Sequence, residues 1–206
     1  MTTWIVLRAA GIGAYLMLFL SVSWGLIGTT GILGKRVSKS SATQVHQFMA
    51  TTGLFLLAIH LGGLLVDRFM PFGLKELLVP MQSTFKPGAV TFGIVTMYVM
   101  VFVIVTSWLR RPIGTKRWRP THALAVPAFT LAFLHGVFAG TDTVRPAMWW
   151  TYVATGLMVL FLVVVRGLTA GFRPERAPRP AHARPPRADI APEPMAVALA
   201  GAVEAV

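Results

Sequence analysis

Two apolar stretches of this chain each carry a histidine at both ends. In HQFMATTGLFLLAIH the imidazoles of His46 and His60 are 14 residues apart, and in HALAVPAFTLAFLH those of His122 and His135 are 13 apart. On an α-helix, 14 residues correspond to roughly 21 Å along the axis. At about 100° per residue they return to within roughly 40° of the starting direction. One helix thus holds two imidazoles on one face, one near each side of a membrane. A histidine inside a membrane helix is costly and usually functional. A single one is equally well explained by a hydrogen bond to a neighbouring helix; four of them, paired on two helices, are better explained as ligands. Imidazole binds copper, zinc and iron, but a separation near 20 Å within each helix prevents one shared site. The pattern points to four axial ligands for two haems. Bis-imidazole ligation closes both axial positions to substrate, which suits electron transfer.

The second spacing departs from an ideal helix. Thirteen residues turn through about 1300°, which leaves His122 and His135 roughly 140° apart. A kink at Pro127, or a helix start just after Pro120, would restore a common direction. Gly53 is seven residues from both His46 and His60, on the same face, where a missing side chain admits a porphyrin or simply lets a neighbouring helix approach. Phe129 falls between the second pair, as a core residue or as a filler between two haems.

Composition sets the frame around these residues. The chain has 206 residues, 55% hydrophobic and 13% charged, against about a quarter charged in average globular proteins. The expectation is an all-α integral membrane protein. Cysteine is absent, which excludes disulfides, thiolate-bound zinc, iron–sulfur clusters and covalent c-type haem attachment. The net charge of +12 falls in loops and tail, so it reads as topology rather than as nucleic-acid binding. The apolar run from Trp4 to about Gly28 is too long for the core of a cleaved signal peptide and reads as a first membrane helix.

Five apolar stretches are long enough to cross a bilayer, at about 4–28, 43–66, 89–109, 121–140 and 147–167. Loop 29–42 has three Lys/Arg and no acid, and loop 110–120 has five: Arg110, Arg111, Lys116, Arg117 and Arg119. Loops 67–88 and 141–146 are near neutral. The alternation places the N-terminus outside and the two basic loops and the C-terminal tail in the cytoplasm of a multi-pass plasma-membrane protein. Trp4, Trp149 and Trp150 then sit at the outer interface, and Trp24, Trp108 and Trp118 at the inner one. Helices two and four run from inside to outside. His46 is therefore level with His122 on the cytoplasmic side, and His60 with His135 on the outer side.

Residues 72–79 read as a short interfacial helix, a surface connector or a lid over the outer cofactor. Seven of the chain's 14 prolines lie between Gly171 and Pro194, mixed with Ala and Arg. Residues 171–206 are expected to be a disordered cytoplasmic tail after a membrane domain of residues 1–170. His182 in this tail reads as solvated. No acidic residue lies inside a span, as a proton-coupled transporter would need. No nucleophile lies beside a base, and no glycine-rich dinucleotide fingerprint follows a strand.

The double-histidine helix is followed by Thr106-Ser107-Trp108-Leu109-Arg110-Arg111, Trp118-Arg119-Pro120-Thr121-His122, Leu134-His135-Gly136 and Gly140-Thr141-Asp142. Together these resemble the ferric reductase-like transmembrane domain over roughly residues 5–167. The resemblance implies two b-type haems stacked across the bilayer, carrying electrons outward. By position, His46 and His122 would bind the inner haem iron and His60 and His135 the outer one. The flavin and nicotinamide domains of the large members have no counterpart here, so the chain looks more like short bacterial members. These take electrons from a separate cytoplasmic reductase or from quinol. They pass them to an extracytoplasmic ferric chelate, flavoprotein or methionine sulfoxide reductase partner. A separately bound flavin is compatible with either face. The chain would then be an oxidoreductase component working with partners. The basic loop would hold inner haem propionates and attract an acidic partner, and Arg68 or Arg145 would serve the outer propionates. Two alternatives stay open: a quinol-oxidising cytochrome b subunit, and a haem-free membrane anchor or interaction protein.

Overall fold

The structure is a computed structural model that describes residues 2–30, 37–67 and 72–171. Lys35, Arg36, Arg68 and the expected tail, with His182, lie outside the described residues. Among the described residues the fold is all-α, with eight helices, five of them or their composites long and apolar enough to cross a membrane: Thr3–Thr30, Lys39–Val66, Pro87–Trp108, Thr115–Ala139 and Pro146–Thr169. The chain is a multi-pass membrane protein. Its outward apolar side chains, among them Phe48 and Phe55 on the second span and Leu160 and Phe161 on the fifth, are exposed, as a surface bathed in lipid requires.

Helix α1 (Thr2–Thr30) is the hub and packs on α2 (Lys39–Val66), α7 (Ala125–Ala139) and α8 (Pro146–Gly171). Ser38 caps α2, its hydroxyl accepting from the Ser41 N–H at 3.0 Å, which satisfies one of the orphan donors of the first turn. Helix α4 (Pro87–Trp108) opens on a proline at its first position, where a missing N–H costs nothing, and packs along α7. The core between them is aromatic. Tyr15 of α1 stacks on Phe129 of α7 with centroids 5.8 Å apart and meets Tyr152 of α8 edge-on. The Thr155 hydroxyl donates to Thr151 O at 2.7 Å, so Tyr15 OH donates to Thr155 Oγ1 at 2.5 Å.

The basic loop 110–120 is mostly helical rather than irregular. Helix α5 (Arg110–Ile113) ends at Gly114, whose φ of 81° suits glycine, and α6 (Thr115–Ala123) follows directly. The fourth span therefore starts six residues before the expected 121 and runs through Pro120. It breaks at Leu124, between α6 and α7, where the Leu124 N–H turns back to Thr121 O at 3.2 Å. Pro127 is the physical cause: it offers no N–H to the Ala123 carbonyl, and its ring crowds that carbonyl. The expected helix start after Pro120 is not the device; the interruption three residues before Pro127 is.

Between α2 and α4 lies α3 (Leu74–Leu78). Glu76 folds back to accept from the Gly73 N–H at 2.8 Å. Tyr98 of α4 holds the far end by donating to Leu78 O at 2.6 Å. Lys86 ties the connection to α7, donating to Phe138 O at 2.8 Å, one of the carbonyls a helix C-terminus leaves over.

Candidate functional site

The four histidines of the two spans fall two at each end of the bundle. At one end, His60 of α2 and His135 of α7 line one cavity of about 260 Å³, whose walls come from α1, α2, α4, α7 and α8. At the other end, the rings of His46 and His122 lie 5.8 Å apart, centroid to centroid, in an edge-on arrangement. Metal–imidazole bonds are about 2 Å long, so the second pair stands at a separation one metal ion can bridge. The break at Leu124 lets the 13-residue spacing reach both ends. His122 meets His46, and His135 shares the cavity with His60.

Each imidazole leans on a neighbouring helix through Nδ1. His60 Nδ1 donates to Leu7 O of α1 and His135 Nδ1 to Ala89 O of α4, both at 2.9 Å. A carbonyl only accepts, so Nδ1 carries the proton in both and Nε2 keeps its lone pair. His46 and His122 use hydroxyls instead, Ser21 Oγ and Ser107 Oγ, each at 3.3 Å. Such partners orient a ligating imidazole and raise its basicity.

Two glycines make the approach possible. A Cβ at Gly11 would come within 2.8 Å of His60 Nδ1, and one at Gly93 within 2.8 Å of His135 Nδ1. Each lies one helical turn beyond the carbonyl that its histidine uses. Gly25 takes the same place against His46 more loosely, at 3.7 Å. Gly53 borders the cavity and lies against α1, where a Cβ would meet Met17 Cβ at 3.1 Å. It serves helix approach and leaves room in the cavity at once. Phe129 is buried in the aromatic core beside Tyr15.

The cavity at the His60–His135 end is covered by the connection that carries α3, through Phe72, Leu77 and Phe85. Its wall also carries Arg8 and Asp142. Asp142 accepts from Arg8 Nε at 2.8 Å and pairs with its terminal nitrogen as well. Arg145 reaches Asp142 Oδ1 at 3.2 Å from a largely exposed position. At the opposite end, Arg110, Arg111, Lys116, Arg117 and Arg119 of α5 and α6 are exposed. Trp118 stacks on His122 at 4.7 Å, and the Arg110 guanidinium lies 4.3 Å over the Trp118 ring.

Among the described residues no three His, Cys, Asp or Glu side chains converge as a metal-binding group. Two imidazoles alone under-coordinate a bare ion such as zinc, which takes four ligands. They complete a group that brings four equatorial nitrogens of its own. The two-imidazole donor set suits such a group, and at the His60–His135 end the glycine-framed imidazoles also border a cavity.

Sequence reasoning identified the four histidines but missed Gly11, Gly93, Ser21, Ser107, Trp118 and Arg8 as their surroundings. One signal was available. Gly11 and Gly25 stand 14 residues apart, the spacing of His46 and His60, and Gly-Ile occurs at both 11–12 and 93–94.

Fold and site together define a polytopic helical bundle with two intramembrane imidazole pairs. The chain belongs to the family of ferric reductase like transmembrane components, which it matches over residues 10–133. That match includes His46, His60 and His122 and stops two residues before His135. Domains of this family generally bind haem. No curated protein and no solved structure matches the chain.

Proposed function

We propose that residues 1–170 bind two b-type haems and conduct electrons across the membrane, with His46 and His122 on the inner iron and His60 and His135 on the outer one. One observation carries this reading: His46 and His122 lie ring to ring and His60 and His135 line one cavity, and among the described residues neither pair has a third His, Cys, Asp or Glu beside it. When bound, the haems supply one-electron carriers that the polypeptide lacks. The four histidines would hold the haems through their Nε2 lone pairs, and the aromatic core and the Phe72–Phe85 cover would exclude water. The donor is a cytoplasmic reductase or quinol, and the acceptor an extracytoplasmic ferric chelate, flavoprotein or reductase partner. The exposed basic residues of α5 and α6 suit an acidic cytoplasmic partner, although positive-inside topology alone would also put them there.

The test is a reduced-minus-oxidised spectrum of the detergent-purified full chain with pyridine haemochrome quantification. Two b-type haems per chain, one lost in His60→Ala and one in His46→Ala, support the conduit. No haem after expression with ample haem supply sinks it and leaves the membrane anchor as the reading.

Quinol as the donor has a specific observation in its favour. An apolar furrow of about 520 Å³ runs between α7 and α8, lined by Val126, Phe133, Gly156 and Leu160 and reaching Phe129 and Tyr152. Reduction of the purified chain by a short-chain quinol, abolished by Gly156→Phe, would favour that donor; an unaffected rate would remove the furrow from the pathway.

A further inference from the structure

We propose that Ser107 is a positioning residue that fixes the protonation of His122 and thereby sets the donor strength of one axial ligand, an inference that rests on the haem assignment above. A hydroxyl has one proton and two lone pairs. The Ser107 proton is committed within α4, to Val103 O at 2.7 Å. Ser107 Oγ therefore only accepts from its other neighbours. One of these is Trp118 Nε1–H at 3.2 Å, a donor by chemistry. The other is His122 Nδ1 at 3.3 Å, which must then bear a proton, leaving Nε2 with its lone pair for iron.

The surroundings make this a directed arrangement. Trp118 stacks on the same imidazole that its N–H helps to orient, and the Arg110 guanidinium lies 4.3 Å over the indole. Ring plane, tautomer and electrostatic surroundings of His122 are thus set by three residues from α4, α5 and α6. At His46 the Ser21 hydroxyl makes a contact of the same length, for which either partner could donate. Ser107 is the defined one of the two.

Hydrogen bonding beyond the axial ligand is one lever on haem potential. An acceptor at Nδ1–H makes the imidazole a stronger donor and favours ferric iron. Ser107→Ala should therefore raise the midpoint potential of one haem and leave the other unmoved, and Ser107→Thr should restore it. Trp118→Phe should act in the opposite sense: it keeps an aromatic ring on His122 but frees a Ser107 lone pair, strengthening the remaining bond and lowering the same potential. Redox titration and electron paramagnetic resonance of the full chain in detergent read both effects. Opposite shifts confined to one haem support the role, and a general loosening of the bundle would not produce them. Two haems with unmoved potentials and spectra in both variants overturn the role of Ser107 alone. If Ser107→Ala does not fold, Trp118→Phe decides, an unmoved potential being the adverse result. Absence of haem from the unmodified chain overturns both this role and the conduit.

Discussion

The Gly11 Cα–H faces the His60 ring so closely that a methyl group there would lie 2.8 Å from Nδ1. The imidazole therefore reaches the Leu7 carbonyl only because residue 11 has no side chain. Gly93 stands in the same relation to His135 and the Ala89 carbonyl. Two helices, α1 and α4, thus offer the same cradle to histidines on α2 and α7.

Under the proposed haem assignment, Gly11→Ala and Gly93→Ala should each displace their imidazole and cost the chain the haem at the His60–His135 end, with the other end retained. Gly25→Ala is the matched control, because its Cβ would meet His46 at an ordinary 3.7 Å. Haem stoichiometry of the three variants checks this. Full retention in Gly11→Ala and Gly93→Ala would show that the cradle is not needed.

The ion pair at the cavity wall should matter to stability. Asp142 is 14% exposed at its side chain and Arg8 27%, so removing the carboxylate leaves a partly buried guanidinium short of a partner. Asp142→Asn should destabilise the bundle by about 1–3 kcal/mol, read as a lower thermal midpoint in detergent. Arg145→Gln, at the exposed side of the same carboxylate, should change it by no more than about 1 kcal/mol. Equal effects would show that burial does not separate the two partners.

These two cases also show what the sequence made legible. The histidine ladder stood out because imidazole is conspicuous in an apolar helix. The span limits and the charge alternation followed from hydropathy and loop composition. Gly11 and Gly93 did not stand out, since glycine is common in membrane helices and its role depends on a ring arriving from another helix. Arg8 was absorbed into a long apolar run, because its partner lies 134 residues away. The helical α5–α6 elbow was obscured by Pro112, Gly114 and Pro120, which read as a loop. The 13-residue spacing showed that an ideal helix would not do, but left Pro120 and Pro127 as equal candidates; the break at Leu124 depends on which carbonyl the Pro127 ring crowds.

Acid should loosen the start of α3. The Gly73 N–H, and behind it Thr84, hold the Glu76 carboxyl below its ordinary value of 4.5. A lowered folded pKa means that the contribution is fully present above the unfolded value and is lost as pH falls through the folded one. Protection of the Gly73 amide, taken relative to its intrinsic exchange rate, should therefore be present at neutral pH and be lost in acid, below the ordinary carboxyl value of 4.5. Glu76→Gln should remove most of this pH dependence. An unchanged profile in that variant would assign the loosening to another group.

Membrane orientation is open to a direct check. Reporter fusions after Val66 and after Thr143 should be active only in a form that works outside the cytoplasm, and fusions after Gly114 and Gly171 only in a cytoplasmic form. The opposite pattern would exchange the inner and outer assignments of the two histidine pairs without altering the pairs themselves.

At the His60–His135 end the Nδ1 partners are main-chain carbonyls, whereas at His46 and His122 a serine hydroxyl takes part. A single codon change deletes a serine hydroxyl, but no codon change deletes a main-chain carbonyl. Inherited variation can therefore alter the surroundings of the imidazoles at one end while those at the other keep their character for as long as the helices keep their path. In a lineage that exchanges one redox partner for another, adaptation should accumulate at Ser21 and Ser107.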